Sequence, residues 1–131
     1  MAVGVHPMER GFDKFFGILT GGNNFVTART PRANVKAEER DAPIWRGRTE
    51  VAEDRYSTDA FAEEAVQFVA RNKSDPFFLY FAPNAIHTPL HTIEKYVDRV
   101  AGIKETKHRL LATMTVALDD AVGRVISKLK E

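Results

Sequence analysis

The chain has 131 residues, of which 44% are hydrophobic, and its 19 basic and 18 acidic residues give a formal net charge of +1. This composition is ordinary for a single globular domain, and the balance of charge argues against a nucleic-acid or membrane-surface interface. The absence of cysteine excludes a disulfide framework and a thiolate metal site. We find neither an apolar run long enough for a transmembrane span nor the apolar core of a signal peptide. Taken alone, these features indicate a soluble intracellular protein.

Residues 1–56 predict a region of loops with one hairpin. They are rich in Gly, Pro, Arg and Asn and show little hydrophobic periodicity. The segment 44–51 predicts a short β-hairpin with Arg46 and Gly47 at its turn.

Residues 57–131 predict a helix, a strand and two further helices. Ser57 or Thr58 can cap the first helix, which should end near Asn72 because the following Asp-Pro dipeptide at 75–76 cannot continue it. The apolar side chains of this helix recur at helical spacing, at Phe61, Ala65, Phe68 and Val69. The run 77–82 contains no polar residue, which predicts a strand buried on both faces, as in the middle of a parallel sheet.

Two more helices are predicted after the strand, a short one near residues 93–100 and a long one from about 104 to 130. The long helix should bury one apolar face, formed by Leu111, Met114, Leu118, Ala121, Val122, Val125 and Leu129. A single strand buried on both faces needs neighbouring strands for its backbone groups. We therefore predict an α/β fold and favour a segment of a larger α/β domain over a self-sufficient small α+β domain.

His87 follows the predicted strand, between Pro83 and Pro89. Ligands of open α/β sheets bind just beyond the carboxyl ends of such strands, so His87 is a candidate general acid or a donor to a substrate oxyanion. The alternative is a loop histidine hydrogen-bonded to the backbone. His91, four residues on, does not suit a zinc pair with His87, because Pro89 prevents a shared helical face.

The remaining candidate residues predict no site. Asp119 and Asp120 are adjacent in a helix and point about 100° apart, which favours solvated helix surface over a carboxylate pair. His6 and His108 have no supporting context, and no Ser, Cys or Thr stands in a nucleophile elbow.

Five motifs in order give the chain a resemblance to a known family. They are GFDKFFG (11–17), TDAFAEEA (58–65), PFFLY (76–80), HTPL (87–90) and ALDDAVGR (117–124). In this order and spacing they resemble the middle of a type I sulfatase, of the arylsulfatase group in the alkaline phosphatase superfamily. The resemblance implies that 1–131 is a central fragment of an alkaline-phosphatase-like catalytic domain, with a loop and hairpin region (1–56) and a helix–strand–helix unit (57–131).

The resemblance also implies a role for His87. In sulfatases the histidine of the His-x-Pro-Leu segment lines the sulfate pocket and protonates or hydrogen-bonds the leaving oxygen of the ester. The family commonly has glutamine after Pro-Leu, whereas this chain has His91. We assign His91 no catalytic role.

Other parts of the family's site are missing from the chain. Sulfatases use a formylglycine made from a Cys/Ser-x-Pro-x-Arg motif, and a divalent cation, usually calcium, held by carboxylate and amide oxygens. None of Ser57, Ser74 and Ser127 begins that motif, and we find none of the family's calcium-binding pairs. We therefore expect no cofactor within the chain itself and no activity of the chain alone.

We favour a segment of a sulfatase gene whose parent hydrolyses sulfate esters, with complementing sulfatase segments as its expected partners. The alternative is a non-catalytic remnant or interaction module of the same fold. The family is often periplasmic, secreted or lysosomal, so the compartment stays open, as do the substrate and the oligomeric state.

Overall fold

The structure is a computed structural model that describes residues 6–21, 24–28 and 42–131. Within these described residues, five short strands precede three α-helices in chain order. The strands are β1 (Phe16–Gly17), β2 (Val26–Ala28), β3 (Ile44–Arg46), β4 (Thr49–Val51) and β5 (Glu53–Tyr56). The helices are α1 (Ser57–Asn72), α2 (Glu94–Val97) and α3 (Thr106–Leu129), with 3-10 turns at Pro7–Glu9 and Asp98–Val100.

The strands form two small antiparallel sheets, one of β1, β3 and β4 and one of β2 and β5. The predicted hairpin is confirmed, since Trp45 of β3 pairs with Glu50 of β4. Its turn is formed by Gly47 and Arg48, one residue later than predicted. Gly47 has a φ of 60°, in the left-handed region that favours glycine.

Helix α1 spans the predicted residues, but its cap differs from the prediction. β5 runs directly into the helix, so Tyr56 takes the N-cap position and no side chain caps the helix. The backbone N–H of Ser57 instead donates to the carbonyl of Phe25, 2.8 Å away. The residue just before β2 therefore satisfies a backbone group at the helix start, where the sequence suggested a side-chain cap.

Helix α3 packs against α1 through a row of small or flexible side chains. The buried residues of α3 are Thr113, Met114, Ala117, Ala121 and Val125. Three members of the predicted apolar face, Leu111, Val122 and Leu129, are exposed by more than a third. The apolar face of α3 is therefore wider than the surface that α1 and α2 cover.

The main core lies where β5, α2 and α3 meet the chain segment between α1 and α2. It is built from Phe25, Tyr56, Tyr96, Met114 and Ala117. Ala85, Leu90, Ile93 and Val116 pack against this cluster. The core therefore holds the segment that contains His87 against the first turn of α1.

The predicted buried strand at 77–82 is not formed in the part of the chain that the structure describes. The segment lies between α1 and α2 as expected, but it pairs with no described strand, and Phe78 and Tyr80 are 74% and 72% exposed. Its contacts in the described structure are aromatic: Phe77 packs edge-on against Phe68, and Phe78 lies 6.0 Å from Phe12 between ring centroids. An apolar run predicts that a segment tends to be buried. A β-strand also needs hydrogen bonds to the backbone of a neighbouring strand.

Candidate functional site

His87 lies on a loop, residues 83–93, that is anchored on both sides of the histidine. Ala85 precedes it and Leu90 and Ile93 follow it, and all three pack against the core cluster. The peptide bonds before Ile86 and Pro89 are cis. Within the loop, the backbone N–H of His87 donates to the carbonyl of Asn84 at 3.1 Å. His87 is thus an exposed side chain on a fixed loop.

The two ring nitrogens of His87 have different environments. Nδ1 lies 2.6 Å from the carbonyl oxygen of Thr88. Because a carbonyl oxygen only accepts, Nδ1 carries the proton of this hydrogen bond. Nε2 has no hydrogen-bond partner among the described residues, so it accepts in the neutral ring and donates once protonated. The sequence analysis offered a loop histidine hydrogen-bonded to the backbone as the alternative to a catalytic role. In the structure this bond uses one ring nitrogen and leaves the other without a partner among the described residues.

The start of α1 contacts the His87 loop at two points. The hydroxyl of Tyr56 donates to the carbonyl of His91 at 3.1 Å. The hydroxyl of Ser57 lies 3.5 Å from Oδ1 of Asn84. Burial raises the pKa of the Tyr56 phenol, so this hydroxyl keeps its proton over the whole neutral range. Two consecutive residues therefore hold the loop on either side of His87.

Asp59, in the first turn of α1, connects three helices. Its carboxylate accepts a 2.5 Å hydrogen bond from the hydroxyl of Tyr96 and two from Nζ of Lys95, at 3.0 and 3.1 Å. Burial, followed by the bond to Asp59, raises the pKa of Tyr96. Arg124 of α3 lies 3.9 Å from the same carboxylate and also pairs with Glu63. No local sequence pattern predicts these contacts, because the partners of Asp59 are far away along the chain.

The other histidines that the sequence singled out do not join His87. His6 is buried, accepts from the backbone N–H of Met8 at Nδ1 and contacts the carbonyl of Gly47 through Nε2 at 3.1 Å. His108 is an exposed residue 3.4 Å from Glu105. Nδ1 of His91 is buried without a hydrogen-bond partner among the described residues. These environments give His6 a structural role and place His108 on the surface of α3.

The acidic pair of α3 lies at the protein surface. Asp120 pairs with Arg99 at 2.5 Å, and Asp119 is exposed. A separate open cavity of about 240 Å³ lies between the ends of α1 and α3, and no residue of the His87 loop lines it. No described helix has the length and apolar character needed to cross a membrane.

Comparison with known proteins decides the family. A family profile described as "Sulfatase" matches residues 3–131. The chain belongs to the sulfatase family. Arylsulfatase J of Mus musculus is 31% identical over 129 residues, which cover 95% of this chain and 21% of the relative. The arylsulfatase of Klebsiella aerogenes is 26% identical over 121 residues, which cover 92% of this chain and 26% of the relative.

Solved structures of a similar protein show the same backbone. The crystal structure of Ps i-CgsB superposes with a TM-score of 0.87 at 35% identity, over 99% of this chain and 31% of that one. A second structure shows Ps i-CgsB in complex with k-i-k-neocarrahexaose. The resemblance based on the five motifs and the alkaline-phosphatase-like fold class are confirmed. The chain spans only a fifth to a quarter of the length of these two curated relatives.

Two features of this sulfatase chain bear on the calcium and the formylglycine that the family uses. Residues 6–21, 24–28 and 42–131 contain no group of three or more His, Asp or Glu side chains that could hold a metal ion. The whole chain has no cysteine, and none of its three serines begins the Cys/Ser-x-Pro-x-Arg motif in which a formylglycine forms. The chemistry that can be derived from this chain is therefore that of His87 and of the residues that hold it.

Proposed function

We propose that this chain contributes His87 to the pocket of a sulfuric ester hydrolase, where it protonates the leaving oxygen of the substrate. The observation that supports this role is the asymmetric environment of the imidazole. The carbonyl of Thr88 holds Nδ1, while Nε2 is open on an exposed loop. A general acid needs a fixed ring and one nitrogen within reach of substrate, and this arrangement supplies both.

The proposed step is a single proton transfer. Cleavage of the sulfur–oxygen bond of a sulfate ester leaves the bonding electrons on the alcohol oxygen, which becomes negatively charged. Protonated His87 donates the proton on Nε2 to this oxygen and returns to the neutral ring with its proton on Nδ1. The bond from Nδ1 to Thr88 is kept throughout, so the ring does not need to turn during the reaction.

The proposal assigns the nucleophile and the metal to complementing sulfatase segments. The chain by itself should therefore be inactive on an aryl sulfate, with or without calcium. The names of the relatives suggest substrates for a first test. One class is aryl sulfates, after the arylsulfatases of Mus musculus and Klebsiella aerogenes, and the other is sulfated oligosaccharides, after the carrahexaose complex of Ps i-CgsB.

A graft into a complete relative tests this function. The aligned segment of the Klebsiella aerogenes arylsulfatase is replaced by this chain, and turnover of p-nitrophenyl sulfate is measured. We expect activity in the graft and a loss of kcat on the order of 10²–10⁴-fold in its His87→Ala variant. His108→Ala removes an exposed histidine from α3 and should leave kcat unchanged. Equal kcat values for the two variants, both folded by circular dichroism, would contradict the role of His87.

A non-catalytic interaction module of the same fold is the alternative, and the exposed apolar side chains of residues 77–80 count against it, because an independent soluble module rarely exposes such a surface. The two functions differ in what covers this segment. As a piece of a sulfatase, the isolated chain should bind an apolar dye such as ANS through its exposed aromatic side chains. As an independent module, it should unfold cooperatively as a monomer without binding the dye.

A further inference from the structure

We infer that Tyr56 is a positioning residue for His87, which acts through the hydrogen bond from its hydroxyl to the backbone of the histidine loop. The inference rests on the proposed function of His87. It adds a residue that lies 31 positions away in sequence and that the motif around His87 does not include.

The contact joins the buried core cluster to the loop. The ring of Tyr56 is 5% exposed and belongs to the core cluster. Its centroid lies 6.1 Å from that of Phe25 and 6.3 Å from that of Tyr96, with tilted rings. Because the ring is packed on both sides, its hydroxyl is a fixed donor. It reaches the carbonyl of His91, four residues after His87, at 3.1 Å.

The loop before His87 is held by the next residue along the chain, Ser57, which is the first residue of α1. Ser57 lies 3.5 Å from the side chain of Asn84, and the carbonyl of Asn84 accepts the backbone N–H of His87. The two anchors thus enclose the turn that contains the histidine. Tyr56 supplies the closer hydrogen bond of the two to the loop.

The same geometry connects the anchor to the chemistry of the ring. The Nδ1 proton of His87 is held by the carbonyl of Thr88, a residue between the two anchors. If the loop is released at His91, the Thr88 carbonyl is free to turn away from the imidazole. The ring then loses the bond that selects one tautomer, and Nε2 is no longer held in one direction.

The test uses Tyr56→Phe, which removes the hydroxyl and keeps the buried ring. In the 131-residue chain, long-range ¹⁵N–¹H spectra of the imidazoles report the tautomer of His87, and amide exchange reports the bond from its N–H to Asn84. We expect wild type to show mainly the tautomer with the proton on Nδ1. In Tyr56→Phe we expect a mixture of tautomers and amide exchange that is at least tenfold faster at His87.

Two control variants separate positioning from a general loss of stability. Tyr80→Phe removes a phenol hydroxyl from a side chain that is 72% exposed. Val125→Ala weakens the packing of α3 on α1 away from the loop. Both should keep the wild-type His87 spectrum at a temperature where the chain is folded. The inference is overturned if Tyr56→Phe keeps the wild-type spectrum, or if Val125→Ala changes it as much.

Kinetics in the grafted arylsulfatase give a second and separable readout. Tyr56→Phe should lower kcat on p-nitrophenyl sulfate about tenfold with little change in KM, because substrate still binds but the acid is misdirected. A change in KM alone would contradict positioning. If every graft is inactive, the proposed function of the chain fails, while the spectra still decide whether Tyr56 positions His87.

Discussion

Phe78 and Phe25 can both be replaced by alanine, and one is mostly exposed whereas the other is fully buried. Phe78 lies in the predicted strand at 77–82 and is 74% exposed, whereas Phe25 is 0% exposed in the core cluster. Replacing each by alanine tests whether the segment 77–82 is unpaired in the isolated chain. We expect Phe25→Ala to be strongly destabilising and Phe78→Ala to be nearly neutral.

The magnitudes follow from the two environments. Truncating a buried phenylalanine costs about 3–5 kcal/mol. Fully burying the side chain contributes about 1.5–3 kcal/mol, and Phe78 is only about a quarter buried, so its loss should cost less than about 1 kcal/mol. For a chain of 131 residues, 1 kcal/mol corresponds to roughly 3–4 °C in Tm. Phe25→Ala should lower Tm by about 9–20 °C, and Phe78→Ala by less than about 4 °C.

The assay is thermal unfolding followed by far-ultraviolet circular dichroism at two protein concentrations. The lower concentration guards against self-association, which would bury the exposed segment. The reasoning would be refuted if Phe78→Ala lowered Tm as much as Phe25→Ala at the lower concentration. That result would mean that residues 77–82 are packed in the isolated chain.

Two further predictions concern the two small sheets. Hydrogen bonds from Arg55 lower the pKa of buried Glu53 below its ordinary value of about 4.3. The ion pair therefore stabilises the fold fully above that pH, and this stabilisation is lost as the pH falls through the lowered pKa. Between pH 5 and 3, Tm should therefore fall more steeply in wild type than in Glu53→Gln, and parallel profiles would argue against this ion pair. Gly47→Ala should lower the free energy of unfolding, measured in urea, by about 1–2 kcal/mol because Gly47 has a positive φ. Gly102→Ala, the control, should change it by less than about 1 kcal/mol. Similar losses in the two variants would contradict the turn assignment.

The parts of the fold that the sequence predicts well are those that depend on near neighbours. Hydrophobic spacing and the Asp-Pro dipeptide at 75–76 predict the extent of α1, and a glycine between two short segments that contain β-branched and aromatic residues marks the hairpin. The local sequence pattern does not predict the structure of a segment that needs a neighbouring strand to pair with. The run 77–82 is as apolar as a buried strand, yet in the described structure no strand lies beside it.

The surroundings of His87 were only partly predictable. Its position after an apolar run and before Pro89 identified it as a candidate, and the family motif suggested its role. The contacts of Tyr56 and Asp59 with residues 35 to 37 positions away have no local signal. His6 shows the same limit, because only the fold brings the carbonyl of Gly47 to its ring.

The central claim is that His87 protonates the leaving oxygen of a sulfate ester. Its most direct test compares kcat in the grafted arylsulfatase for p-nitrophenyl sulfate and for phenyl sulfate, whose leaving group is the more basic. A more basic leaving oxygen needs the acid more, so His87→Ala should reduce kcat much further for phenyl sulfate. An equal reduction for both esters would contradict the claim, since a residue that only binds the sulfate group would give that result.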